Sequence, residues 1–580
     1  MAMGRRNEAR RRAARAAGGD FRASPRAVCL SAALLAVLAP PASAQYLPTG
    51  PGTLGSGSLP GTAGSLPGTF GGGSPYGLAP EAFGTLGEGQ RKWEIIPRLG
   101  VQETYTDNVR LQPPGSERSD WVTEVRPGVS INGRGARLRF NFDYSPDLVY
   151  RKEEGSHDVF HNLNAFGNAE LVRQLLFVDT RANVFQSNVA LFGPQAVSNA
   201  NSTDNRTTVR TFFLSPYLRH DFGSEAQGEA RYSFSTLNSG STGGASTSNS
   251  DSNRIDARLS SGPAYKLQTW NLTYSKEHID YTETHQSIDT EMISAYGRRL
   301  ITPTLGLQAT VGYENNDYGV AANSPKGKFW SIGPDWAPTD RTRLSATMGR
   351  RYYGPNQALD FTHRTRLTTW GLSYHEDVTT TRGQFFVPTV FDSASYLNTL
   401  FLASIPDPAA RQTAVQNFIS QAGIPSTLTV PLNYFTTVPY LQKTANASFG
   451  ILGVRNTVLF NVFSQKREAI SANQPLGGVL GQATSSTQNG TSLLWTSRLT
   501  QLTTSNATIG YSRTEAENIG TANTGASAQY NLTYIRLGLT TQFQPKITGT
   551  LSYRRLRNDS NQAGGDYNEN AVSALLNMRF

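Results

Sequence analysis

The side chains that could do chemistry are few, and their spacing works against it. The seven histidines are scattered. His157 and His161 share one strand parity, but four residues of strand span about 13 Å, too far to chelate one metal together. A polar, lumen-facing role is expected for both. Asp107-Asn108 has the residue types of a calcium loop without EF-hand spacing, and a turn closed by Asx hydrogen bonding accounts for it better. Glu153 and Glu154 are adjacent, so on a strand they would face opposite ways, a poor arrangement for glycosidic acid–base work. There is no G-x-S-x-G elbow, Walker loop, H-E-x-x-H pair or Rossmann fingerprint. Catalytic, cofactor-binding and metal-binding residues are therefore all expected to be absent, and the chain reads as no enzyme.

Charge on one face of alternating segments does recur. Arg137, Arg139 and Asp143 form one such set, Glu225, Glu229 and Arg231 a second, and Arg254, Asp256 and Arg258 a third. On the wall of a water-filled lumen, such residues would select solutes by their field and hydrogen bonding. In a closed barrel they would instead pair with one another. Tyr and Trp on the same faces could stack on sugar rings.

The elements that must position these residues are strands. From Trp93 onward the chain alternates with period two. Leu138, Phe140, Phe142 and Tyr144 share one face and Arg137, Arg139, Asn141 and Asp143 the other, as on a half-apolar strand. Ala226, Ala230, Tyr232 and Phe234 stand against Glu225, Gln227, Glu229 and Arg231. Leu305, Leu307, Ala309, Val311 and Tyr313 face away from Gln308, Thr310 and Glu314. Ile547, Leu551 and Tyr553 oppose Thr548, Thr550, Ser552 and Arg554. Short turns such as Asn132-Gly133-Arg134-Gly135 alternate with long polar loops (238–252, 471–490, 559–568), as in a meander with one rim outside. A soluble β-sandwich also alternates, but its strands average five or six residues. These runs reach about ten and end in aromatics such as Tyr144, Tyr150, Trp270, Tyr274, Tyr352 and Tyr353, which suits girdles at a membrane–water boundary. The expected fold is all-β, a transmembrane antiparallel up-and-down barrel. At 20–25 residues per strand, its count comes to about 18, within 16–20.

Composition fits an exported chain. Charged residues are 17% of the 580, while Gly (55), Phe (27) and Tyr (24) are abundant. The first 44 residues hold eight Arg and two acids, a surplus of six that leaves four of the overall +10, so the basic balance is no nucleic-acid footprint. That basic stretch, an apolar run over 27–39 and an A-x-A site ending at Ala44 read as a secretory signal peptide, residues 1–44, cleaved after Ala44. The alternative, a short membrane anchor, would be too brief to span a bilayer stably. The one cysteine, Cys29, has Arg26 where a lipoprotein site would have Leu and is assigned to the leader, leaving the remainder without thiols or disulfides. Residues 45–92, rich in Gly, Pro and Ser with SLPGT at 58–62 and 65–69, bury too little to order themselves and read as a flexible linker, with a partner-binding tail as the alternative. The barrel is expected over 93–580.

Within it, 378–440 breaks the rhythm. Asp407 suits a helix N-cap and Pro408 the first helical position, and Ala414, Val415, Phe418, Ile419 and Ala422 share one helical face before Gly423 and Pro425. A short helix over about 408–422 would plug the lumen, pack at the rim or sit in an outer loop. At the other end, Val572, Ala574, Leu576, Met578 and Phe580 share a face against Ser573, Asn577 and Arg579. An amphipathic strand ending in Phe resembles the assembly signal of outer-membrane proteins, which implies the barrel-assembly machinery as a partner and Phe580 as the signal.

Trp93–Pro97, then GVQETYTDNVRL, SDWVTEVRPGVSI and RLRFNFDYSPDLVY, resemble the opening of the outer-membrane barrel family associated with exosortase and PEP-CTERM gene clusters, and the broader β-barrel porins found beside exopolysaccharide genes. The helical insert resembles that family's mid-chain segment. The resemblance covers roughly 93–580, and Thr106-Asp107-Asn108 is its most specific element. It implies a porin-like barrel of the bacterial outer membrane serving export of exopolysaccharide or another envelope polymer. The alternatives are a structural or anchoring barrel without an open channel, which docks surface proteins or secretion components, and a membrane-embedded hydrolase or lipid-modifying enzyme. The expected partners are outer-membrane lipid, polysaccharide and periplasmic secretion components, with no nucleic acid and no cofactor.

Overall fold

A computed structural model describes residues 92–189, 193–240, 248–319, 325–386, 436–470, 483–518, 528–562 and 564–580, together with the single positions 397, 401, 411 and 415. The expected signal peptide with its Ala44 site and nearly all of the linker lie outside them.

Twenty-two strands make one antiparallel sheet. They are β1 (Lys92–Thr106), β2 (Asp120–Arg134), β3 (Leu138–Arg151), β4 (Ser156–Val172), β5 (Leu176–Asn188), β6 (Arg206–Phe222), β7 (Ala226–Ser239), β8 (Ser250–Ser261), β9 (Gln268–Tyr281), β10 (Ser287–Leu300) and β11 (Leu305–Asp317). The second half comprises β12 (Lys326–Thr339), β13 (Thr342–Arg351), β14 (Gly354–Arg364), β15 (Thr368–Thr379), β16 (Tyr440–Leu452), β17 (Asn456–Ala469), β18 (Ala483–Arg498), β19 (Thr503–Asn518), β20 (Ala528–Gln544), β21 (Ile547–Ser560) and β22 (Tyr567–Arg579). Each pairs with its successor, and β1 pairs with β22 from Arg98↔Arg579 to Thr106↔Ala571, which closes the circle. The count of about 18 is thus corrected to 22. Turns at the rim that carries both ends of the barrel are only two to six residues long, and the outer β13–β14 and β3–β4 connections have two and four. Outside the β15–β16 insert, the chain spends about 19 residues per strand, fewer than the 20–25 assumed.

Alternation along each strand sorts side chains between lipid and lumen. On β11, Leu307, Val311 and Tyr313 are exposed on the outer face, while Gln308, Thr310, Glu314 and Asn316 are buried inside. From Leu305 to Tyr313 is eight residues, or about 27 Å along the strand; tilted by about 40° this gives a band roughly 20 Å tall, close to the apolar height of such barrels. Trp330 and Trp336 on β12, Trp270 and Tyr274 on β9 and Tyr150 on β3 also face outward. The interior is the polar side: the bulkiest fully buried side chains include Arg151 and Arg467. This is the bacterial outer-membrane form of a β-barrel, closed so that no strand edge meets lipid. Among the described residues, no helix is long and apolar enough to cross a membrane.

Gly333 and Gly349 mark where β12 and β13 pass closest. A Cβ at Gly349 would collide with the carbonyl oxygen of Trp330, and one at Gly333 with that of Ala346. Only glycine permits that bend.

The β15–β16 insert begins with a short helix, α1 (Thr381–Phe386). The helix expected over about 408–422 falls outside the described residues apart from Arg411 and Val415, which are buried.

Candidate functional site in the barrel interior

Twenty-two strands spaced about 4.8 Å apart and tilted about 40° enclose a ring roughly 44 Å across, too wide for wall side chains alone to fill. What occupies its outer half decides what the barrel can do. Among the described residues, two segments fold inward there.

The first is the β5–β6 connection, described over residues 193–205. Arg151, fully buried at the outer end of β3, donates from Nε to the Ala200 carbonyl (3.0 Å) and from Nη2 to the carbonyls of Asn199 (2.9 Å) and Asn201 (3.3 Å). Its Nη1 reaches Asp158 at 2.5 Å. On the β21–β22 side, Asn201 donates to Glu569 at 2.6 Å, and Glu569 also accepts from Thr106 (2.9 Å) and Arg554 (2.7 Å). The Gln195 amide donates to the Tyr567 hydroxyl at 3.1 Å. Val109, Val122, Val149 and Ala200 form the apolar part of this contact.

The second is the start of the β15–β16 insert. Arg382 on α1 donates from Nη1 to the Ser250 carbonyl (2.7 Å) and hydroxyl (2.8 Å), and from Nη2 to the Ser235 carbonyl (2.8 Å) and hydroxyl. Phe386 joins Val189, Val209, Phe213 and Leu237 on the inner face of β5–β7, with Phe385 against Phe185. In a round ring, the ends of β15 and β8 would lie roughly 37 Å apart. Three residues and an arginine side chain reach only about 20 Å, so the outer rim is drawn in between them. Thr437 donates to Gln286 across the same gap at 3.0 Å, and Val378 shares an apolar cluster with Ile279, Tyr281 and Ile288.

The inner wall carries a lattice of arginine–carboxylate pairs. Arg98 binds Asp143 at 2.6 Å, and Asp143 also accepts from Ser130. Arg231 joins Asp179 (2.9 Å) and Glu229 (3.1 Å), and Arg219 meets Glu229 at 2.9 Å. Arg254 joins Asp256 (2.8 Å) and Glu277 (3.3 Å), Asp335 accepts from Arg298 (2.5 Å) and Arg343 (3.3 Å), and Arg351 holds Glu314. Opposite charges a few ångströms apart cancel most of each other's field in the lumen, so this wall offers hydration with little net charge preference.

Of the nine charges expected to line the lumen, Arg139, Asp143, Glu229, Arg231, Arg254, Asp256 and Arg258 lie at inward positions of β3, β7 and β8. Arg137 and Glu225 do not. They sit exposed in the β2–β3 and β6–β7 turns at the inner rim, one residue short of the strand. His157 and His161 are also corrected: Tyr150↔His157 and Pro146↔His161 register them on the lipid face, where the His161 ring stacks on Tyr144 and its Nδ1 lies 2.9 Å from the Tyr144 hydroxyl. Tyr352 and Tyr353 are not girdle residues. They cap the β13–β14 turn and pack inward, with Tyr352 hydrogen-bonded to Tyr318. Phe580 follows β22, 63% exposed on the outer face, its amide donating to Pro97 of β1.

Thr106-Asp107-Asn108 is a latch on the seam. Asp107 accepts from the Asn570 backbone (2.7 Å) and side-chain amide (2.8 Å), while Asn108 donates to the Asn568 carbonyl (2.9 Å) and accepts from the Gln112 amide (2.9 Å). The two residues thus extend the β1–β22 join past its last ladder rung. Arg151, Glu569, Asn201, Arg382 and Phe386 were not foreseen. Glu569 alone left a signal, an acid at an inward position diagonal to Arg554 across β21–β22.

Among the described residues, no group of three or more His, Cys, Asp or Glu is placed to hold a metal ion. No family model and no curated protein matches the chain. Among solved structures it is similar to the ferric enterobactin receptor PfeA from Pseudomonas aeruginosa (10% identity, 84% of this chain and 80% of that one, TM-score 0.43). It is also similar to the siderophore receptor PirA from Acinetobacter baumannii (11%, 85% and 81%, 0.45) and to OccK2 from Pseudomonas aeruginosa, solved with glucuronate (9%, 84% and 98%, 0.33). Similarity at this level says nothing about cargo.

Proposed function

We propose that the protein is a gated outer-membrane conduit for a hydrophilic cargo, and that the cargo is an exported exopolysaccharide or related envelope polymer. The observation that carries the conduit is the way its mouth is covered. Two segments fold inward at the mouth of a polar-lined bore and are held by hydrogen bonds from Arg151 and Arg382, contacts that can part without unfolding the wall. The paired charges of the inner wall favour no ion of either sign and leave a polar surface along which a long hydrophilic chain can slide. The sequence resemblance to barrels found beside exopolysaccharide genes is what supports the choice of polymer.

The same pairing and the same covered mouth also favour a second reading, a permanently shut barrel that anchors surface or secretion components. Reconstitution into planar bilayers separates the two. The conduit should show discrete current steps of several conductance levels as its mouth segments move. A barrel that inserts fully, by its heat-modifiable gel migration, yet never conducts is an anchor.

A further inference from the structure

We infer that the inner faces of β18 and β19 form a binding track for an uncharged, polyhydroxylated chain. The inference deepens the conduit reading and rests on it. On β7 and β8 the inner wall carries paired ions, Glu229 with Arg231 and Arg254 with Asp256. From Ser486 to Thr496 on β18 and from Thr504 to Ala516 on β19, no inward position is charged. Apart from Leu494, these positions carry hydroxyls, amides and small residues over about 33 Å of strand.

Six of these side chains are almost fully enclosed and have no hydrogen-bond partner among the described residues: Ser486, Gln488, Ser492, Thr496, Thr508 and Thr514. Both amide atoms of Gln488 are unpartnered. Burying a polar group without a partner costs free energy at every group, and native walls rarely repeat it. A wall that only had to be sealed would carry apolar residues here. Six unmet donors and acceptors in two registered rows, with Gln488 beside Thr514 and Leu494 beside Thr508, instead point to a ligand that supplies the missing partners.

The chemistry of the groups names its class. Serine and threonine hydroxyls and the glutamine amide each both donate and accept, as sugar hydroxyls do. A charged chain would lose its hydration on this track and find no counter-charge. The middle of the track is bare backbone at Gly490 and Gly510, paired respectively with Ser512 and Ser492. The Phe463 ring borders this gap, close enough that a Cβ on Gly490 would lie 2.6 Å from it. A flat apolar flank beside hydroxyl rows suits the two faces of a sugar ring.

The test uses the full-length barrel and malto-oligosaccharides, with oligogalacturonate of equal length as the charged comparison. Calorimetry on the detergent-solubilised protein should show binding of the neutral chain and none of the charged one. The combined variant Gln488→Leu, Ser492→Ala, Thr508→Val should weaken the neutral chain at least about tenfold, with folding verified by heat-modifiable migration. Leu551→Ala, on the lipid face of β21, should leave that affinity unchanged. In bilayers, the neutral chain should interrupt the current with dwell times shortened by the triple variant. Equal affinity in wild type and triple variant, or equal affinity for the charged chain, would overturn the track. So would neutral-chain binding seen only after removal of residues 45–91, which would make the track the seat of the chain's own tail. A wild type that never conducts but still binds the neutral chain defeats the conduit and leaves the track standing.

Discussion

If the mouth is covered by contacts that can part, Arg382→Ala should unseat α1. The guanidinium makes four hydrogen bonds to two serines and lies 4.9 Å from the Phe386 ring. Hydrogen bonds to a charged group contribute about 1.5–3 kcal/mol each. Carbonyl and hydroxyl of one serine share a single direction, so two effective bonds are lost, about 3–6 kcal/mol. Part of this is returned because the guanidinium no longer has to be desolvated, a penalty of several kcal/mol. A net loss of about 2–3 kcal/mol is reasonable and corresponds to a shift of about 30- to 150-fold. A seat filled about 99% of the time would then be filled about 40–80% of the time. The barrel supplies its own reporter, because the only cysteine in the chain is Cys29. Ser250→Cys keeps the carbonyl that Arg382 binds and places a thiol beneath α1, where Ser250 is 2% exposed. Labelling of this thiol by a membrane-impermeant maleimide should accelerate about 20- to 60-fold in the Arg382→Ala background. Arg382→Lys should fall between the two, and open probability in bilayers should rise in the same order. Unchanged labelling with unchanged current would show that α1 is fixed wall and that the gating proposal is wrong.

Further outcomes follow from other parts of the barrel. Asp107→Ala removes two hydrogen bonds to Asn570 across the seam and should cost about 1–3 kcal/mol, read as a lower temperature for loss of the heat-modifiable band. Gly349→Ala forces a methyl against the Trp330 carbonyl and should cost about 1–3 kcal/mol in a urea titration in detergent, with a neutral result showing that β12 and β13 are not in tight approach. Leu551→Arg, at an outward position 56% exposed, should cost about 2–4 kcal/mol in lipid, whereas Ser552→Arg, one residue on and facing the lumen, should cost less. Arg151→Ala should free residues 199–201 of the β5–β6 connection from three carbonyl contacts and speed proteolysis within 193–205 without altering migration of the folded band.

The alternation that made β3, β7, β11 and β21 legible is a local property, and the structure follows it residue by residue on those strands. The same rule failed on β4, whose inward Asn162, Asn164 and Asn168 and outward His157 and His161 are polar at both parities, so only the register against β3 assigns the faces. The strand count was missed because it depends on the turns, and nothing in a run such as Arg134–Leu138 says whether three residues or ten separate two strands. The mouth was illegible for a different reason. Arg151 meets Ala200, and Arg382 meets Ser235, across separations of 49 and 147 residues. Period and composition carry no trace of which distant loop comes back into the bore. The Asp107-Asn108 turn was read as Asx bonding, and Asn108 does bind the Gln112 amide, but its join to β22 was not visible from either end alone.

Among the described strands, every pairing but one links neighbours in the chain, so most of the barrel consists of hairpins that close over a few residues. The exception brings together positions as much as 481 residues apart, as at Arg98 and Arg579. Loop-closure entropy grows only logarithmically with length, but here nearly all of it falls on a single event. Until then two bare strand edges stand open, each a template for pairing with a foreign chain. The rate of insertion and the risk of aggregation are therefore concentrated at one join, and a catalyst of folding that shielded those two edges would have little else to do.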